Sequence, residues 1–130
     1  MIIVGLTGGI ASGKTTVAGW IREIGIAVHD ADAAVHSLLA ANGLAVAEII
    51  ATFGPDISAS DGGIDRKKLG EHVFVKPVDR KKLESILHPL VGKHRDQFLQ
   101  NQQRLGSQIV VLDVPLLYET GGEGLCDYVI

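Results

Sequence analysis

The apolar positions change their period along the chain, and each change marks an element. Ile2 to Leu6 is a short apolar run ending in glycines, which reads as a buried strand. After a glycine-rich turn, Val17, Trp20, Ile21 and Ile24 recur at helical spacing, and Gly25 stands where a C-terminal cap belongs. Ile26 to His29 then reads as a second strand that runs into Asp30-Ala31-Asp32. Strand, helix and strand within about thirty residues is a βαβ unit, which implies a parallel sheet.

From Ala33 to Leu105 the period is helical and no strand is expected. AVHSLLA and LAVAEIIATF read as short helices, the second closed by Gly54-Pro55. Asp65 is placed to cap DRKKLGEHVF, and SASDGG has the small polar residues of a turn. Asp79 is expected to open one helix over DRKKLESIL, and Pro89 to be the first residue of another. Gln108 to Val114 is a nearly unbroken apolar, β-branched run, as in a central parallel strand, and Pro115 ends its pairing. Leu116 to Gly124 is a glycine-containing excursion, and Asp127 to Ile130 begins a fourth strand. The expected architecture is one α/β domain with a parallel sheet, core 1–32 and 106–130, and a helical insertion over 33–105.

Composition narrows the function classes. The chain has 130 residues, 46% hydrophobic and 21% charged, a soluble globular balance. A formal net charge of −3 argues against a general nucleic-acid binder, so anion binding must come from a local site. Cys126 is the only cysteine, which excludes an internal disulfide. No stretch reaches bilayer-spanning length and the opening lacks a leader's basic region, so a reducing cytoplasm is the expected compartment.

Gly8-Gly9-Ile10-Ala11-Ser12-Gly13-Lys14-Thr15 matches the phosphate-binding P-loop without a gap, between an expected strand and an expected helix. The glycines let successive backbone N–H groups turn inward around a phosphate, and the helix points its positive end there. Lys14 sets a cation against the β- and γ-phosphates, and the Thr15 hydroxyl is a ligand for Mg²⁺. A carboxylate at Asp30 or Asp32, beside a strand's carboxyl end, could accept the proton of an attacking hydroxyl, while one of the two caps the next helix. Asp113 ends the strand VVLD as an acid that supports the same Mg²⁺. No N-K-x-D motif points to guanine, and His29, His36, His72, His88 and His94 lack metal-ligand spacing, so surface or helix-end placement is expected for them.

These residues resemble the dephospho-CoA kinases of coenzyme A synthesis. GLTGGIASGKTTVA is similar to that family's P-loop, and GIAVHDADAAVH to its second strand and acidic turn. FGPDI, DGGIDRKKLGEHVF, the Leu-His-Pro of LESILHPLV and the Asp-x-Pro-Leu-Leu-x-Glu of VVLDVPLLYETG follow in order. The resemblance implies transfer of the γ-phosphoryl of ATP to the 3′-hydroxyl of dephospho-CoA, with Mg²⁺, the last step of coenzyme A synthesis. It implies that Gly8, Gly9, Ala11, Ser12, Gly13, Lys14, Thr15 and Thr16 wrap the ATP phosphates, with Lys14 stabilising the moving charge. Asp32 becomes the base or holder of the acceptor hydroxyl, and Thr15 and Asp113 the metal side. The fold implied is a three-layer P-loop NTPase core with strand order 2-3-1-4. The insertion between strands 2 and 3 becomes the acceptor-binding part, with Arg66, Lys81 and His88 as contacts.

Ala11 stands where the family often has glycine, and Thr15 where it often has serine. Family members continue into an arginine-bearing lid and a last strand, whereas this sequence ends at Ile130. Weak nucleotide binding, poor turnover and self-association through a bare sheet edge are expected on that account. The alternatives are another small-molecule P-loop kinase, acting on a nucleoside or sugar alcohol, and a nucleotide-binding chain without turnover.

Overall fold

The computed structural model describes residues 1–7, 13–113 and 126–129. Among the candidate residues, Gly8, Gly9, Ala11 and Ser12 lie outside these, as does the excursion after Pro115. The chain divides into two compact units, Met1–Asp32 with His94–Ile130, and Ala33–Lys93.

The first unit is built on a four-stranded sheet of β1 (Ile2–Leu6), β2 (Ala27–Asp30), β3 (Ile109–Asp113) and β4 (Tyr128–Val129). Its order is β2-β3-β1-β4 with every pairing parallel, the order expected of a P-loop kinase core. In β3, Val110, Val111 and Leu112 are all buried, as expected of a strand covered on both faces. Helix α1 (Lys14–Glu23) returns the chain from β1 to β2. Gly25, with φ of 89°, ends the helical course and donates its N–H to the Arg22 carbonyl at 3.0 Å. Leu6, Ala18 and Val111 form a buried cluster, with Val4, Val17, Ile21, Ile26 and Val28 packed on it. Trp20 and Ile24, which share the apolar spacing of Val17 and Ile21, are 62% and 74% exposed. The buried stripe centres on Ala18, so Trp20 and Ile24 are carried around to its far side.

The second unit is helical. Helix α2 (Ala31–Leu39) leads into it, and α3 (Val46–Phe53), a 3₁₀ turn at Pro55–Ile57 and α4 (Arg66–Val75) follow. Ile49 and Ile57 are fully buried, with Leu69, Ile86 and Leu87 among the remaining core. Asp65 caps α4 as expected, accepting from the N–H groups of Lys67 (3.1 Å) and Lys68 (3.2 Å). Gly63 closes the SASDGG turn at a close backbone approach. A Cβ there would lie 2.8 Å from the Ala41 nitrogen, so only glycine fits without a shift.

The two helices expected to begin at Asp79 and Pro89 are one. Helix α5 (Pro77–Arg104) runs 28 residues with Pro89 inside it. Pro77 takes the first-turn position that suits proline. Pro89 offers no N–H to the Ser85 carbonyl, but both residues are exposed and water can serve that carbonyl. Burial of Ile86, Leu87 and Val91 on either side of Pro89 holds the helical course. Among the described residues no helix is long and apolar enough to cross a membrane.

Candidate functional site

The site in the sheet unit forms where β1, β2 and β3 end together. Leu6 on β1 is level with Asp113 on β3, and Asp113 is level with Asp30 on β2. Beyond β1, Gly13 stands as N-cap of α1 at φ 77° and ψ 12°, a left-handed conformation that glycine adopts without strain. No side chain caps this helix start, so its first N–H groups remain directed at whatever lies in front of them.

Lys14, the first helical residue, points back to the strand ends. Its Nζ lies 2.8 Å from Oδ1 of Asp113, with the two side chains 10% and 8% exposed. The contact is an ion pair without hydrogen-bond alignment, because the buried Oδ1 has no donor at hydrogen-bonding angles. A largely buried carboxylate oxygen lacking an aligned donor is suited to a hard cation or to its water shell. The P-loop lysine and the strand-end acid are thus brought together across 99 positions of sequence by the β1–β3 pairing. Thr16 is exposed, and the side chain of Thr15 lies outside what is described.

The two acids of the Asp-Ala-Asp turn are told apart. Oδ1 of Asp30 accepts the Asp32 N–H at 2.9 Å, one residue ahead of the first helical position, so Asp30 is the capping acid. Asp32 sits in the first turn of α2 with its side chain exposed.

His29 departs from the expected surface or helix-end placement. It is 6% exposed, next to Asp30, and its Nε2 lies 2.8 Å from Nδ1 of His94 on α5. The ring also leans on those of His94 and Phe98, with centroids at 5.0 and 5.3 Å. Burial first, then the charges of His94 and Arg95, push the His29 pKa down from 6.5 to about 4, with Asp30 pulling the other way. One ring must accept from the other, so the pair needs a neutral nitrogen. The 65 positions between the two histidines hide this contact from any reading of local spacing.

Within the helical unit, Arg66 lies against His36 of α2. Its Nη1 is 2.9 Å from Nδ1 of His36 and also touches Nε2. Lys81 and His88, both exposed, are seven apart on α5 and so lie on one face of that helix. Among the described residues no hydrogen bond or ion pair joins Lys81 or His88 to Arg66.

A family model for dephospho-CoA kinase matches residues 2–130. The dephospho-CoA kinase of Rhodospirillum rubrum is 50% identical over 129 residues, 99% of this chain and 61% of that protein. That of Paramagnetospirillum magneticum is 49% identical over 129 residues, 99% of this chain and 60% of that one. Among solved structures, the dephospho-CoA kinase from Campylobacter jejuni has 30% identity and a TM-score of 0.72, covering 98% of this chain and 64% of its own. A crystal structure from Thermus thermophilus has 37% identity and a TM-score of 0.76, covering 98% and 63%. The chain therefore spans about three fifths of the length of the curated relatives it matches.

Proposed function

This chain belongs to the dephospho-CoA kinase family, with its P-loop NTPase fold, and on that premise we propose that it phosphorylates the 3′-hydroxyl of dephospho-CoA from ATP. The products are CoA and ADP. The observation that carries the reading is the Lys14–Asp113 pair at 2.8 Å, which links the P-loop cation to a strand-end acid at the mouth of α1.

In this reading the sheet unit holds ATP and the helical insertion, expected over 33–105 and compact over Ala33–Lys93, binds the acceptor. Gly8, Gly9, Ala11, Ser12 and Gly13 are the residues of the motif that would meet the phosphates, joined by Thr15 and Thr16. Lys14 exchanges its carboxylate partner for phosphate oxygens and stabilises the charge that grows on the departing β-phosphate bridge. Thr15 and Asp113 would hold Mg²⁺, which would supply neutralisation of the phosphate charge. Asp32, exposed in the first turn of α2, takes the proton of the 3′-hydroxyl as its oxygen attacks the γ-phosphorus. Arg66, Lys81 and His88 contact the acceptor's anionic part, with Arg66 oriented by His36. One cysteine and a nucleotide substrate fit the reducing cytoplasm. The edge of β4, paired only with β1 among the described strands, supports self-association.

The test is a coupled assay of ADP release with ATP, Mg²⁺ and dephospho-CoA, run beside Lys14→Ala. Turnover that requires dephospho-CoA and disappears in Lys14→Ala is expected. ADP release indifferent to dephospho-CoA would reject the acceptor. ATP binding abolished by Lys14→Ala, with no turnover, would keep the donor site and reject transfer by this chain.

A further inference from the structure

The corner between α4 and α5 has a composition that neither helix needs for folding. Phe74, Val75 and Val78 are 81%, 75% and 65% exposed, so three apolar side chains stand in solvent within five positions. The buried side of α4 is occupied by Leu69, and Phe74 falls on the opposite side, out of the core. A cavity of about 410 Å³ opens between Gly70, Glu71, Phe74 and Val75. The absence of a side chain at Gly70 leaves that cavity its depth, since nothing lies within 4 Å of where a Cβ would be.

The corner is also fixed. Lys76 is extended at φ −119° and ψ 111°, the conformation a following proline imposes, and Pro77 starts α5. The Arg80 guanidinium reaches back to donate to the Phe74 carbonyl at 3.1 Å, which ties the last turn of α4 to the first turn of α5. An exposed aromatic held on a pinned turn is a preformed contact, with little ordering cost on binding.

Charge completes the picture. Seven of the chain's 12 Lys and Arg residues fall between positions 66 and 82, against two carboxylates, Glu71 and Asp79. A chain of net charge −3 thus concentrates its cations in the stretch that holds this exposed apolar corner. The complementary ligand is an amphipathic anion, an apolar chain carried on phosphate. A purely polar nucleotide would leave Phe74 and Val78 unused, and a neutral apolar ligand would leave the cations unused.

We propose that this corner seats the pantetheine arm of the acceptor, with Phe74 as its aromatic anchor, Val75 and Val78 beside it, and Lys76 and Lys81 toward the diphosphate. The inference rests on the acceptor being dephospho-CoA. It makes the arm, and not only the reacting ribose, a determinant of acceptor choice. The methylenes and methyls of the arm cover Phe74, and its amides remain open to Glu71 and to water.

The experiment is calorimetric titration of dephospho-CoA into the chain presaturated with ADP, together with titration of ADP alone. Both are run on wild type, Phe74→Ala and Phe74→Leu. Phe74→Ala is expected to weaken dephospho-CoA about tenfold and leave ADP unchanged, and Phe74→Leu to retain most of the affinity. Because Phe74 lies outside the core, both variants are expected to keep the wild-type unfolding midpoint. Wild-type affinity for dephospho-CoA in Phe74→Ala would overturn the assignment and leave the kinase reading intact. A wild-type chain that does not bind dephospho-CoA once ADP is present would overturn the acceptor reading and this one with it.

Discussion

Asp113→Asn and Lys14→Met each remove one charge from a pair whose side chains are 8% and 10% exposed, with little change of volume. At 2.8 Å and an effective dielectric of about 20, the attraction between the two ions is roughly 6 kcal/mol. Much of that offsets the loss of hydration on burial, so the intact pair adds little over a neutral pair of the same shape. Removing one partner is different, because the other ion stays dehydrated with nothing to balance it. Each single substitution should therefore lower stability by about 3 kcal/mol. The double variant leaves only a poorly bonded amide and should lose about 2 kcal/mol, not the additive ~6. Urea unfolding followed by far-ultraviolet circular dichroism at neutral pH measures all four corners of the cycle. A double variant whose loss equals the sum of the singles within about 0.5 kcal/mol would refute the coupling, and with it the structural pairing of P-loop and strand end.

Two further outcomes follow from the same kind of reasoning. His29 has a folded pKa of about 4 against an ordinary 6.5, so between those values the unfolded chain binds a proton that the folded chain refuses. Its contribution is fully present above pH 6.5 and is lost as pH falls toward 4, by about 3 kcal/mol in all; unfolding free energies at pH 7.5 and 4.5 should show the slope, and His29→Leu should flatten it. Asp65→Ala removes the acceptor of the Lys67 and Lys68 N–H groups and should cost about 1 kcal/mol in urea unfolding, with Asp65→Ser recovering most of it.

What sequence alone discloses here follows the range of each interaction. The strands and their parallel sense could be read because each is a separate apolar run joined by a βαβ unit, whereas the order 2-3-1-4 came only with the resemblance to P-loop kinases. Asp65 was legible as a cap because capping reaches only three residues. The unbroken α5 was not, since local rules make Pro89 a helix start, whereas burial of Ile86, Leu87 and Val91 around it favours continuation. Trp20 and Ile24 share the spacing of Val17 and Ile21, and only the packed sheet shows which half of that stripe is covered. The candidate site divides in the same way. Lys14 and Asp113 are found from motif and strand end, and the choice between Asp30 and Asp32 waits on one hydrogen bond. His29 carries no local sign of its partner, because His94 arrives from a helix far along the chain.

Strand β3 has an unusual source of alignment. Val110, Val111 and Leu112 are buried on both sides of the sheet, so sliding the strand by one position would exchange one apolar side chain for another. Alternation, which pins half-exposed strands, is silent in such a run. The first residue that could object to a slip is Asp113, since moving it one place turns its charge away from Lys14 and into the layer of aliphatic side chains. The acid assigned to the metal side thus also acts as the stop that tells the central strand where to halt.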